Sequence, residues 1–115
     1  MISSILVVDD DSEVLCLASC FLRQAGVEIH CAENGAQALE KIRTNNFSVM
    51  ITDYNMPGMN GLDLAVKARE IAPRMRVIMA TGSPSPELFD QAAGAGIAKV
   101  IAKPLRLEGL LELIK

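Results

Sequence analysis

Five short apolar runs, rich in isoleucine and valine and separated by segments of helical spacing, constrain most strongly what this 115-residue chain can fold into. They are Ile5 to Val8, Val27 to Ala32, Phe47 to Thr52, Val77 to Ala80 and Val100 to Ala102. The first, third and fourth are almost continuously apolar, a pattern that suits strands covered on both faces. A parallel sheet meets that condition, because its crossover connections lay helices over both sides. Between the runs, Val14, Leu17, Ala18, Phe21, Leu22 and Ala25 recur at helical spacing, and Leu107, Leu110, Leu111 and Ile114 repeat the pattern near the end of the chain.

The helix boundaries carry residues with a physical reason to be there. Asp11 or Ser12 can cap the first helix, Gly26 can close it in a left-handed conformation, and Asn34-Gly35 can open the second. Ser85-Pro86-Glu87 reads as a start with proline at the first helical position. The order is strand then helix, five times over, without linker, repeat or low-complexity tract. We therefore expect a single domain over residues 1–115 of α/β class, a doubly wound (βα)5 sandwich of three layers. Ligands of such folds sit beyond the carboxyl ends of the strands, where strand order reverses.

Composition narrows the function. The formal net charge of −3, without basic blocks, lacks the electrostatic footprint of direct nucleic-acid binding. No apolar run approaches the roughly 18 residues that span a bilayer, and the start MISSILVV lacks a charged leader, so a cytoplasmic protein without membrane contact is expected. Cys16, Cys20 and Cys31 are odd in number and lie in apolar segments, which reads as buried free thiols in a reducing compartment.

The strand ends hold the chemistry. Asp9, Asp10 and Asp11 follow the first run side by side, and each such pair at about 4 Å costs on the order of 4 kcal/mol at an effective dielectric near 20 unless something neutralises it. The third run leads to Asp53 in VMITDYNMPGMNG, the fourth to Thr81 in VIMATGS and the fifth to Lys103 in VIAKPL. Brought together, Asp9, Asp10 and Asp53 form an oxygen-rich pocket suited to a hard cation such as Mg²⁺. A carboxylate beside such a cation, with Lys103 opposite, is equipped to attack phosphorus and form an acyl phosphate. Phosphoryl transfer asks the protein mainly to position groups and neutralise charge, and Thr81 can donate to one phosphoryl oxygen with Gly82 leaving room beside it.

The pieces VVDDD, MITDYNMPGMNGLDL, VIMATG and VIAKPL, in that order, resemble the receiver domain of two-component response regulators, chemotaxis regulators included, over essentially the whole chain. The resemblance implies a flavodoxin-like sheet of order 2-1-3-4-5. It implies Asp53 as phospho-acceptor, Asp10 as direct Mg²⁺ ligand, Asp9 assisting through water, and Asn55 offering its backbone carbonyl. Thr81 and Lys103 match the switch hydroxyl and the phosphate-contacting lysine, and Pro104 matches a proline that follows a cis peptide bond. The implied partners are a sensor histidine kinase or histidine phosphotransfer protein and a downstream effector, with a phosphorylation-dependent dimer as one form of output. Such a domain catalyses its own phosphorylation and dephosphorylation and is not a turnover enzyme. Its readout surface is the fourth helix, fifth strand and fifth helix. Family members often carry an aromatic residue where this chain has Val100, so the hydroxyl-to-aromatic relay cannot operate in its usual form.

Plainer expectations stand beside these. Asp11 is a cap rather than a ligand, Met56 and Met59 are loop packing, and Gly61 allows a positive φ before the third helix. His30 faces solvent, while Leu15 and Cys16 fall off the inward stripe of the first helix, where they could form a small docking patch for a phosphodonor. Three other functions compete. A flavodoxin-type cofactor binder would want a phosphate-binding loop where this chain has repelling aspartates. An aspartyl phosphohydrolase similar to the haloacid dehalogenases would place its nucleophile after the first strand. A phosphorylation-independent receiver-like adaptor would not need Asp9, Asp10, Asp53, Thr81 and Lys103 intact.

Overall fold

The computed structural model describes residues 4–104, 106, 109, 111 and 112. Strands β1 (Ser4–Val8), β2 (Glu28–Ala32), β3 (Val49–Asp53), β4 (Arg76–Thr81) and β5 (Lys99–Ala102) alternate with helices α1 (Ser12–Gln24), α2 (Gly35–Thr44), α3 (Gly61–Ile71) and α4 (Pro86–Gly94). All pairings are parallel and the sheet order is β2-β1-β3-β4-β5, the doubly wound order that the resemblance implied. Of the expected fifth helix, Leu107, Leu110 and Ile114 lie outside the described residues, while Gly109, Leu111 and Glu112 are helical.

Strand periodicity splits the core in two. Leu6, Val8, Met50 and Met79 point to the face covered by α2, α3 and α4, with Leu39, Leu64 and Leu88 packed over them. Ile5, Val7, Val49, Ile51 and Ile78 point the other way, onto Leu15, Ala18 and Leu22 of α1, with Leu111 beside them. Each such side chain, taken fully out of water, contributes roughly 1.5–3 kcal/mol, and the three central strands carry most of them.

The caps are those the sequence announces. Asp11 Oδ1 accepts from Glu13 N–H, Asn34 Oδ1 from Gln37 N–H and Ser85 Oγ from Leu88 N–H, with Pro86 opening α4. Gly26, at φ +82°, ends α1 with Gly26 N–H donating to Arg23 O and Val27 N–H to Leu22 O. α4 ends the same way at Gly96.

Four expectations need correction. The inward face of α1 is Leu15, Ala18, Ser19 and Leu22, so Leu15 is buried while Leu17 is 59% exposed. The apolar stripe is wider than the contact, and rigid seating on the sheet selects which part of it is covered. For the same reason the thiols are free but not all buried: Cys16 and Cys20 are exposed and Cys31 is half-buried. Gly61 has no positive φ; the left-handed glycines are Gly26, Gly58 and Gly96. His30 is half-buried rather than solvent-facing, its ring edge-on to Phe47 at 5.2 Å and its Nε2 3.2 Å from Glu28 Oε2.

The two leucines of α1 test this seating. Leu15→Ala should cost about 2–5 kcal/mol of unfolding free energy, and Leu17→Ala less than about 0.5 kcal/mol, in urea titrations followed by circular dichroism. A larger cost at Leu17 than at Leu15 would show that α1 is seated on its other stripe.

Candidate functional site

Because every strand runs the same way, the carboxyl ends of β1, β3, β4 and β5 open on one edge. Asp53 is the last residue of β3, opposite Ala80, and Thr81 is the last of β4, opposite Ala102. Both strands run one residue beyond the apolar stretch, since ladder hydrogen bonds continue regardless of side-chain polarity. Asp9 N–H still donates to Ala32 O, at 3.1 Å, which ties the first carboxylate to the sheet as well.

Asp9 and Asp53 are buried and Asp10 is exposed, and one carboxylate oxygen from each lies within 4.8 Å of the others. Lys103 reaches into this cluster from the end of β5, with Nζ 3.0 Å from Asp53 Oδ2 and 3.4 Å from Asp9 Oδ2. Its backbone N–H donates to Thr81 O at 2.8 Å, and the Lys103-Pro104 peptide bond is cis. Thr81 is buried, and its Oγ1 accepts from Ser83 N–H at 3.1 Å. That bond uses a lone pair of the hydroxyl rather than its proton.

Burial pushes the Asp9 carboxyl above its ordinary range, and the negative charge of Asp53 adds to this. The Asp11 N–H, donating to Asp9 Oδ1 at 2.9 Å, and the Lys103 ammonium oppose the shift without cancelling it. For Lys103, burial works against the charged form, but the hydrogen bond to Asp53 and the charges of Asp9 and Asp53 outweigh it and its pKa is raised. Lys103 is therefore an ammonium, and three carboxylates against one ammonium leave two negative charges in excess.

All the donors are oxygens, with neither thiol nor imidazole among them, and an excess of negative charge remains. That set fits a hard divalent cation. The remaining predicted positions are less enclosed. Asn55 is exposed on the loop after β3 and Val100 is half-buried in β5, packed on the core beneath α4. Asp11 serves as the α1 cap, as expected.

Two supporting residues, Asn60 and Thr52, lie outside the expectations from sequence, and a third, Gly61, has a different role from the one expected. Asn60 caps α3, accepting from Asp63 N–H at 2.9 Å; an asparagine ahead of Gly61 and a periodic run is the same signal that marked Asn34. Thr52 Oγ1 donates to Asp53 O at 3.0 Å inside the core. Gly61 is required by space, because a Cβ there would stand 2.6 Å from Asp53 O and 3.0 Å from Tyr54 Cα.

The sequence model of the response regulator receiver domain matches residues 5–115. This chain belongs to the response regulator receiver family. Chemotaxis protein CheY of Pseudomonas aeruginosa is 36% identical over 114 residues, covering 96% of this chain and 92% of that protein. A CheY-like receiver domain protein from Methanospirillum hungatei superposes with a TM-score of 0.93 at 34% identity, over 99% of this chain and 91% of the other. A response regulator protein from Burkholderia pseudomallei, solved with a phosphorylated aspartic acid, calcium ion and citrate, has a TM-score of 0.91 at 25% identity, over 98% of this chain and 66% of its own. Among the described residues of this receiver, no helix is long and apolar enough to cross a membrane.

The raised Asp9 pKa has a stability consequence. The folded receiver holds the Asp9 proton more tightly than the unfolded chain does, so this group's contribution to stability falls as pH rises from the ordinary carboxylate range through the raised value. Asp9→Asn should therefore raise the melting temperature in metal-free neutral buffer, and the gain should vanish below the ordinary carboxylate range. Melting curves for both proteins across acid and neutral pH check the sign.

Proposed function

We propose that residues 1–115 act as one phospho-accepting receiver domain, in which Asp53 takes a phosphoryl group from a phosphohistidine in a Mg²⁺-dependent step. The observation that carries this reading is Lys103 Nζ at 3.0 Å from Asp53 Oδ2, within a carboxylate cluster of net negative charge. The phosphorylated aspartate and bound cation of the Burkholderia pseudomallei relative support it.

In the step, a carboxylate oxygen of Asp53 forms the O–P bond as the P–N bond breaks, and that electron pair goes to the donor imidazole. Asp10 and Asp53 would hold Mg²⁺ with the Asn55 backbone carbonyl, and Asp9 would assist through water. Bound there, the cation neutralises charge on the phosphoryl oxygens. Lys103 holds Asp53 in place before transfer and meets a phosphoryl oxygen after it, which frees Asp9 from part of their pairing. Thr81 turns its unused hydroxyl proton toward another phosphoryl oxygen.

Phosphorylation then biases a two-state equilibrium of the domain. The donor is a sensor histidine kinase or phosphotransfer protein, and an effector reads α4, β5 and the segment after it, or a second receiver pairs there. With Val100 half-buried in place of a ring, the change travels from Thr81 through the packing of β4 and β5 rather than through an aromatic rotamer. The domain works on itself and is not a turnover enzyme, and its place is the cytoplasm.

Incubation with acetyl phosphate and Mg²⁺ should give a one-phosphate adduct by intact mass in the wild type, and none with Asp53→Asn or without the metal. Asp10→Ala should weaken Mg²⁺ binding by about 10-fold or more, measured by calorimetry, whereas Lys103→Ala should keep wild-type affinity or better and lose the response to phosphorylation. A wild-type chain that captures no phosphate, or Asp10→Ala binding Mg²⁺ as well as wild type, would overturn the assignment.

A further inference from the structure

Beside the acidic cluster, a cleft of about 460 Å³ runs between the corner after β2 and the loop after β3, lined by Asp10, Glu33, Asn34, Gly35, Pro57 and Met59. Its floor is unusually tight. Gly35, the buried first residue of α2, has the Met59 side chain lying against its Cα: an added Cβ would stand 2.6 Å from Met59 Sδ, 3.1 Å from Met59 Cβ and 3.2 Å from Met59 Cγ.

We infer that Gly35 is a positioning residue for the cation loop: its missing side chain seats Met59, and that seat sets where residues 54–60, with the Asn55 carbonyl, stand relative to Asp10. This rests on the cation reading above. Sδ could swing away from a new methyl group, since methionine is flexible. The Met59 Cβ cannot, because it is fixed to the loop backbone, so the loop itself must give.

The ends of that loop do not yield. Tyr54 N–H donates to Ala80 O and Gly61 N–H to Tyr54 O, both at 2.8 Å, and Gly61 already fits tightly against Asp53 O. Met56 is buried in the core. A push at Met59 therefore bends the loop at Gly58, φ +82°, and turns it about the buried Met56, which re-aims the peptide carbonyl of Asn55 on the other side of that pivot.

The substitution that tests this puts no strain on the backbone of α2, because Gly35 has no left-handed φ, so its effect is confined to the contact with Met59. Gly35→Ala should bind Mg²⁺ about tenfold more weakly than wild type in calorimetric titration. Its melting temperature in metal-free buffer should stay within about 8 °C of wild type, showing that the fold is kept. In the double variant Gly35→Ala/Met59→Gly, affinity should return to within about twofold of Met59→Gly alone, because neither Sδ nor Cβ is then left at residue 59 for the added methyl group to meet. Wild-type affinity in Gly35→Ala, or a tenfold loss that persists in the double variant, would overturn the inference while leaving the cation site standing. A wild-type chain that binds no Mg²⁺ would overturn the cation reading and this inference with it.

Discussion

Like charges held at close range by a rigid sheet are the condition on which the rest of this receiver depends. The bond from Asp9 N–H to Ala32 O and the pairing of Asp53 with Ala80 fix the backbones of both residues at one edge, and both side chains are buried there. Lys103, arriving from the strand that pairs with β4, is the counter-charge built into the fold. One ammonium cannot balance three carboxylates, and the remaining imbalance is what makes the donor set fit a hard divalent cation.

Stability and function pull in opposite directions at this edge. Burial raises the Asp9 pKa, which means the folded state holds that charge at a cost. The offset comes from elsewhere: two apolar faces of the sheet, capped helices, and glycine-closed helix ends at Gly26 and Gly96. The apolar parts of β1, β3 and β4 are nearly inaccessible to solvent, so the carboxylates at their ends are displayed on a closely packed apolar foundation. The loops at this edge are the stretch from Tyr54 to Asn60 and the segment from Gly82 to the α4 cap at Ser85.

Glycine illustrates how one residue type answers different demands. Gly26, Gly58 and Gly96 are there for a left-handed φ, which side chains rarely tolerate. Gly61 and Gly35 are there for room, the first against the Asp53 carbonyl and the second against Met59. Sequence reading assigned Gly61 to the first class, because turn chemistry is local and visible, while a close approach involves a neighbour that the chain order does not name.

Much of the architecture was legible in residue order. Apolar runs covered on both faces dictate a parallel sheet, and Asp11, Asn34, Ser85 and Gly26 mark helix ends through hydrogen bonds made within a few residues of themselves. The convergence of Asp9, Asp10, Asp53, Thr81 and Lys103 could also be anticipated, because parallel strands must deliver their ends to one edge. Which stripe of α1 is covered, and hence the exposure of Leu17, Cys16 and Cys20, was settled only by the seating of one rigid helix on a twisted sheet. The same holds for the half-buried His30 against Phe47, and for Met59 on Gly35. Backbone periodicity and capping are properties of neighbouring residues and can be read in order; contact between distant side chains depends on the rigid packing of whole elements, and no local pattern encodes it.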